Sequence, residues 1–308
     1  MNRPRAVVFA YHDVGVRCLK ALLSGGVAVP LVVTVPDDPA ERRWFASVAD
    51  TAVDYGLDVV APADASTAEL TRRVTELQPD FLFSFYYRAM LGAPLLRAAR
   101  RGALNMHGSL LPKYRGRAPV NWAILRGERE SGATLHYMVE RADAGDIVDS
   151  QAVPILLDDD AREVFGKVTV AAETVLVRSL PGLIAGSAQR RPQPIVPGQY
   201  FGRRRPEDGR IDWSRTALEV HNLVRAVAPP FPGAFADVGG ERWQIHRTRL
   251  TPQIVAPRGA WLFASADECY LACGDGLALR LLAAEDPHGP VDLGKLALRA
   301  AQQPLPLA

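Results

Sequence analysis

The chain has 308 residues, 48% of them hydrophobic and 23% charged, with a formal net charge of +2. That length is about twice a typical domain, and the composition is that of a folded chain, which excludes a disordered one. A charge so near neutral offers no surface for tracking long nucleic acids, so any acidic partner must be met locally.

The N-terminus runs from Met1-Asn2-Arg3-Pro4-Arg5 into Ala6–Ala10, an apolar stretch too short for a signal peptide. No later stretch reads as long enough to cross a bilayer. Cys18, Cys269 and Cys273 form neither a C-x-x-C pair nor an even disulfide framework, which points to packing roles in a reducing compartment. The expected location is the cytoplasm, without membrane insertion.

The first half alternates short apolar runs with amphipathic ones, the sequence form of βα units and a mostly parallel, Rossmann-like α/β sheet. Strands are predicted near 5–11, 30–35, 81–85 and 103–107. Between the first two, Val14, Cys18, Leu19, Leu22 and Leu23 recur at helical spacing up to the Gly25-Gly26 stop. Two further strands are predicted over 131–139 and 147–153, joined by the Arg141-Ala142-Asp143-Ala144-Gly145-Asp146 turn. Asp160 is placed to cap a helix carrying Val164, Val168, Ala171 and Val175, whose rhythm fades at Pro181-Gly182.

Residues 187–200 hold three prolines and no periodicity, so they read as a linker. The predicted catalytic domain is therefore 1–189, and a β-rich domain follows over 200–308. The latter is expected to open with a helix near 217–226. Strands near 234–249, 259–263, 269–273 and 277–282 then suggest a small barrel of OB-like form.

The turn after the first strand reads Tyr11-His12-Asp13-Val14-Gly15, a poor pyrophosphate cradle, and no G-x-x-x-x-G-K-[ST] occurs. NAD and ATP are not expected, nor is a metal, because no His or Cys pair has ligand spacing. Asn105 and His107 stand one residue apart at a strand end, so both side chains project to one face. An amide can donate to a developing oxyanion while the imidazole donates a second hydrogen or moves a proton, a pairing suited to acyl transfer. A carboxylate such as Asp143 would orient the ring and favour its protonated form. Polar residues at a strand end also commonly cap backbone groups, and the pair alone does not separate the two roles.

The string Asn105-Met106-His107-Gly108-Ser109-Leu110-Leu111-Pro112, with Tyr114-Arg115-Gly116 and Asp143-Ala144-Gly145-Asp146, resembles the signature of the folate-dependent formyltransferases. The resemblance implies that Asn105, His107 and Asp143 serve formyl transfer from 10-formyltetrahydrofolate to an amine. It also implies a folate pocket formed by Ala89, Met90, Leu91 and Arg117 with Val139, Glu140, Arg141, Ala142 and Asp143, although Met90 and Leu91 read equally well as core. The strings Phe83–Arg88, Arg117-Ala118-Pro119, Tyr200–Trp213 and Val220–Val227 extend the likeness over nearly the whole chain, weakening after about residue 250. They look most like the branch that formylates UDP-4-amino-4-deoxy-L-arabinose in lipid A modification and polymyxin resistance. There the formyltransferase domain is joined to a decarboxylase; the sequence here stops at Ala308, which leaves open either a separate decarboxylase partner or a domain cut from a longer protein.

Arg203, in the run Arg203-Arg204-Arg205, is the candidate for holding a diphosphate, against a solvated face or pairing with Glu207 and Asp208. The Pro36–Phe45 loop is charge-balanced, which disfavours transfer RNA. Two rival functions stay open: formylation of another nucleotide-linked amino sugar, such as a dTDP-sugar, or of methionyl-tRNA; and a non-catalytic module that senses folate.

Overall fold

The computed structural model describes residues 3–36, 43–194 and 200–308. Residues 37–42 of the Pro36–Phe45 loop and 195–199 of the expected linker lie outside the described residues. Two compact units are formed. The first comprises Met1–Pro119, Glu130–Val153 and Phe165–Gly202, and the second Val120–Arg129, Pro154–Val164 and Arg203–Ala308.

The first unit is built on β1 (Arg5–Ala10), α1 (His12–Ser24), β2 (Ala28–Val33), α2 (Val48–Asp54), β3 (Val59–Val60), α3 (Ala68–Glu76), β4 (Phe81–Phe85), α4 (Ala93–Ala98) and β5 (Gly102–His107). After β6 (Arg115–Gly116) and α5 (Pro119–Leu125) come β7 (Glu130–Tyr137), β8 (Ile147–Pro154), α6 (Ala161–Ala185) and β9 (Tyr200–Phe201). The sheet order is β3-β2-β1-β4-β5-β7-β8. Its pairings are parallel from β3 through β5, and β7 runs antiparallel to β5. Ala6–Ala10 of β1 and all of β4 are buried, as befits central strands covered on both faces.

Local chemistry sets the helix ends. At the end of α1, Gly26 takes φ +80, its N–H donates to Leu23 O and the Val27 N–H to Leu22 O, a left-handed stop that glycine adopts without a Cβ clash. At the start of α6, Asp160 Oδ1 accepts from the Glu163 N–H while Glu163 Oε2 accepts from the Asp160 N–H, both at 2.9 Å. The helix then runs through Pro181 to Ala185, four residues beyond the predicted fading of its pattern.

α6 also corrects the expectation that no stretch is long enough for a bilayer, since by length and composition it is. In this fold half of its most apolar window is buried, and two of its charges pair within the first unit: Glu173 with Arg17 at 2.6 Å, Arg178 with Asp149 at 2.7 Å.

The second unit contains α7 (Ala217–Val227), β10 (Ala234–Val238), β11 (Glu241–Val255), β12 (Trp261–Ser265), β13 (Glu268–Ala272), β14 (Leu277–Asp286), β15 (Gly289–Pro290), α8 (Leu293–Gln302) and β16 (Leu305–Pro306). The single run predicted over 234–249 is two strands, split at Gly239 and Gly240, both of positive φ. The antiparallel order β10-β11-β14-β13-β12-β16 nearly closes on itself, because Asp237 and Ala308 exchange backbone hydrogen bonds across the gap. Val220, Val224 and Val227 of α7 and Leu296, Ala297 and Ala300 of α8 share one core with Trp243, Ile245, Leu271 and Leu279 of the sheet. This is the expected barrel-like domain, with α8 added.

One buried cation ties residues 156–159 to α7. Arg225, 6% exposed, donates from Nη1 to the carbonyls of Asp159 (3.0 Å) and Leu156 (3.3 Å), and from Nε and Nη2 to Asn222 Oδ1 (2.9 and 2.8 Å). Arg225→Ala removes the guanidinium hydrogen bonds to these acceptors, at about 1–3 kcal/mol for each buried group that loses its only donor. The variant is expected to lose roughly 3 kcal/mol in urea unfolding followed by tryptophan fluorescence, and an unchanged midpoint would remove this role.

Candidate active site

Strand alternation sends Asn105 and His107 of β5 to the same face, as the spacing predicts, and both meet Asp143 there. Asn105 Nδ2 lies 3.4 Å and His107 Nδ1 3.6 Å from Asp143 Oδ1. The three proposed catalytic residues are thus brought together. His107 is 6% exposed and the Asp143 side chain 13%, so solvent competes weakly with these contacts.

Each group is held by backbone. His107 Nε2 lies 2.8 Å from Tyr114 O, and because a carbonyl only accepts, this nitrogen carries a hydrogen. Its Nδ1 is left toward the carboxylate. Thr134, opposite His107 on β7, fixes the intervening loop: its Oγ1 donates to Ser109 O at 2.6 Å and accepts from the Leu111 N–H at 3.1 Å. Ser109 Oγ in turn donates to Lys113 O at 2.6 Å, which sets the approach to Tyr114.

Asp143 Oδ2 accepts the Gly116 N–H at 2.9 Å. Gly116 has φ +102 and its α-carbon faces the Phe201 carbonyl, where a Cβ has no room. Glycine is required here for both reasons. Asp143 itself takes φ +50, a left-handed conformation tolerated by aspartate, and Gln193 Nε2 clamps the turn by donating to Asp143 O (3.1 Å) and Gly145 O (2.6 Å). Gly145 packs its α-carbon under Tyr137 O, again leaving no space for a Cβ.

A fourth side chain belongs to this cluster. His136 of β7, 1% exposed and paired directly across from Asn105, places Nε2 at 3.2 Å from Asn105 Nδ2 and 3.5 Å from Asp143 Oδ1. Its Nδ1 is 2.9 Å from Tyr137 O. Sequence reasoning missed it, although Thr134 and His136 are polar positions alternating with Ala133 and Leu135 in a predicted strand.

Burial pushes the Asp143 carboxyl up, but the His107 ring, the His136 ring and the Gly116 N–H together outweigh it and hold the group well below the usual carboxylate range. One carboxylate therefore serves as the shared anion of the site.

The other candidates are placed less centrally. After β4, Ala89 is exposed, Met90 is 61% exposed and Leu91 is 8% exposed within the core with Leu82 and Leu95. The core reading thus holds for Leu91 and not for Met90. Arg117, Val139, Glu140 and Arg141 are exposed and Ala142 half-buried. In the second unit Arg203 is exposed, whereas Arg204 is half-buried, stacks over Trp122 at 5.0 Å and donates to Asp208 O at 2.8 Å. The arginine run is not one solvated face.

A carboxyl held below its ordinary value contributes stability that is complete above its unfolded value, about 3.9, and is lost as the pH falls further toward the folded value. The stability difference between the wild type and Asp143→Asn is expected to be full above about pH 4 and to shrink in more acidic buffer. Urea midpoints of both proteins across that range measure it, and a gap independent of pH would contradict the assignment.

The formyl transferase family pattern matches residues 5–180, and that of the formyl transferase C-terminal domain residues 204–290. Among solved structures, the N-formyltransferase from Helicobacter canadensis, in complex with folinic acid and dTDP-3-aminofucose, shares the fold at TM-score 0.72 and 21% identity. That match covers 91% of this chain and 99% of the other. WlaRD, a sugar 3N-formyl transferase with dTDP and 5-N-formyl-THF, matches at 0.71 and 20% identity over 93% and 99%. HypX from Aquifex aeolicus, in complex with tetrahydrofolic acid, matches at 0.64 and 18% over 96% of this chain and 47% of its own. The two family patterns, one on each predicted domain, cover most of the sequence, and this chain belongs to the formyl transferases.

Proposed function

We propose that this enzyme transfers a formyl group from 10-formyltetrahydrofolate to the amine of a nucleotide-linked amino sugar, with UDP-4-amino-4-deoxy-L-arabinose as the acceptor. The observation that carries the chemistry is the convergence of Asn105, His107 and His136 on one oxygen of Asp143. The cluster contains amide and imidazole donors beside an anion, and neither cysteine nor serine stands among its contacts. It therefore favours direct attack of an amine over a covalent acyl-enzyme.

The described residues fit the formyl donor. Met90 and Val139 keep large apolar side chains exposed on the two loops assigned to it. Gln193 leaves its buried Oε1 without a hydrogen-bond donor behind the Asp143 turn. These supply an apolar surface and an unmet acceptor, as a flat ring with N–H edges requires. The donor supplies the formyl carbon; the protein orients and neutralises charge. Asn105 is assigned to donate to the oxygen as negative charge develops on it, and His107 to supply the second donor by turning its Nε2–H from Tyr114 O while Nδ1 stays against Asp143. The new carbon–nitrogen bond forms as the bond to N10 of the donor breaks, and the proton lost by the amine matches the one gained by N10.

The acceptor assignment has separate support. The Tyr200–Trp213 and Val220–Val227 strings resemble those of the UDP-sugar branch, and Arg203 in the first is proposed to meet the diphosphate. A dTDP-linked sugar is the second reading, favoured by the dTDP compounds in the complexes of the Helicobacter canadensis enzyme and WlaRD. The buried, free Cys18, Cys269 and Cys273 support a reducing, cytoplasmic setting.

Incubation with 10-formyltetrahydrofolate and parallel UDP- and dTDP-4-amino sugars, read by mass spectrometry for one added formyl group, tests donor and acceptor together. Formylation of the UDP-sugar is the expected result; exclusive formylation of the dTDP-sugar would overturn the acceptor, and formylation of neither the function. Asn105→Ala and His107→Ala are each expected to lower kcat by about a hundredfold or more, the scale set by loss of an oxyanion donor. Full activity in either variant would remove that residue from the mechanism.

A further inference from the structure

We infer that His136, as a neutral imidazole, is the positioning residue that fixes the Asn105 amide for formyl transfer, and that protonating it releases this amide.

Asn105 and His136 are paired residues across the β5–β7 ladder, so their side chains meet by register. The His136 ring is 1% exposed, and water cannot substitute for its partners. Its Nδ1 faces Tyr137 O at 2.9 Å and must carry a hydrogen, since that carbonyl only accepts.

Nε2 then faces two groups with opposite demands. Asn105 Nδ2, at 3.2 Å, is a donor and needs a lone pair on Nε2; Asp143 Oδ1, at 3.5 Å, is an acceptor and needs a hydrogen there. Distance favours the first, because Nε2 lies closer to Asn105 Nδ2 (3.2 Å) than to Asp143 Oδ1 (3.5 Å). Charge favours it too. The same Oδ1 already faces Nδ1 of His107 at 3.6 Å, and the other oxygen is taken by the Gly116 N–H. One buried carboxylate balances one imidazolium; a second, on His136, would be an uncompensated buried charge.

The neutral Nδ1–H tautomer makes Nε2 an acceptor that tells the amide which end is nitrogen. An isolated asparagine amide turns over easily, and only its nitrogen can donate to an oxyanion. Protonation converts Nε2 into a donor, so the amide must present its oxygen instead, and the new N–H turns to Asp143 in competition with His107. The charged and titratable groups facing His136 are Asp143 from the turn after β7 and, through the same oxygen, His107 from β5. On its own strand, Tyr137 follows it, with the Arg190 guanidinium 3.7 Å above that ring.

The inference rests on the formyl-transfer reading for its consequence but not for its first test. Nitrogen-15 NMR of the ligand-free protein, with His136→Gln used for assignment, is expected to show a protonated Nδ1 and a bare Nε2 for His136 at neutral pH. A protonated Nε2 would overturn the inference whatever the substrates prove to be. Kinetics with the accepted donor and acceptor then separate roles. His136→Leu, which offers no acceptor, is expected to lower kcat at least tenfold with both KM values within twofold of wild type. His136→Gln offers an amide oxygen near the Nε2 position that does not titrate. It is expected to restore most of the kcat and to flatten the acid limb of the pH–rate profile. Wild-type kcat in His136→Leu, or an unchanged acid limb in His136→Gln, would each overturn it; if the leucine variant does not fold, the glutamine profile decides alone.

Discussion

A single carboxylate oxygen, Oδ1 of Asp143, organises the catalytic unit. It faces Asn105, His107 and His136 at once, from two strands that are neighbours only because β7 enters the sheet antiparallel to β5. Were that pairing shifted by one residue, His136 would turn to the other face of the sheet. Register here is thus a catalytic quantity as well as a structural one. Both faces of β7 are buried, so a slip would move Thr134 and His136 to the side of Ala133 and Leu135 and strip their polar groups of the partners they have here.

The same cluster accounts for where the backbone is held in unfavourable conformations. Tyr114, Gly116, Ala118 and Asp143 all have positive φ, and two of them touch the cluster directly: Tyr114 through its carbonyl and Gly116 through its N–H. Non-glycine residues in this region cost about 1–3 kcal/mol each, so the surroundings must hold them. The Gln193 clamp, the Thr134 and Ser109 hydrogen bonds and the short β6–β9 ladder supply that restraint. Rigidity at the cluster is in this sense a product of loop anchoring, with the sheet supplying only the platform.

Much of this was legible from residue types. The apolar runs at 6–10 and 81–85, the second broken only by Ser84, announce central parallel strands, and the spacing of Asn105 and His107 places both on one face. What spacing within a strand cannot convey is the partner strand. His136 lay in a predicted strand, but its value comes from standing opposite Asn105, and pairing register is a property of two segments. The α6 helix passed unnoticed beyond Pro181 because proline lowers local preference while packing continues: Leu180 and Leu183 are buried on either side of it. Met90 and Leu91 look alike in sequence, and only the core cluster around Leu82 and Leu95 separates the buried one from the exposed one.

The proposed chemistry and the proposed acceptor rest on different strings of the chain. Among the described residues, Asn105, His107, Gly116 and His136, which face Asp143, lie in the first unit, while the Arg203–Trp213 string on which the UDP reading partly rests lies in the second. Formyl transfer to an amine places the same demand on Asn105, His107 and Asp143 whichever nucleotide carries the sugar, since none of the bonds made or broken involves the nucleotide. The cluster is therefore free to stay fixed while residues such as Arg203 change, and a likeness in the cluster carries no information about the acceptor. The case for UDP over dTDP therefore rests on strings outside the cluster, Phe83–Arg88 and Arg117–Pro119 in the first unit as well as Arg203–Trp213 in the second.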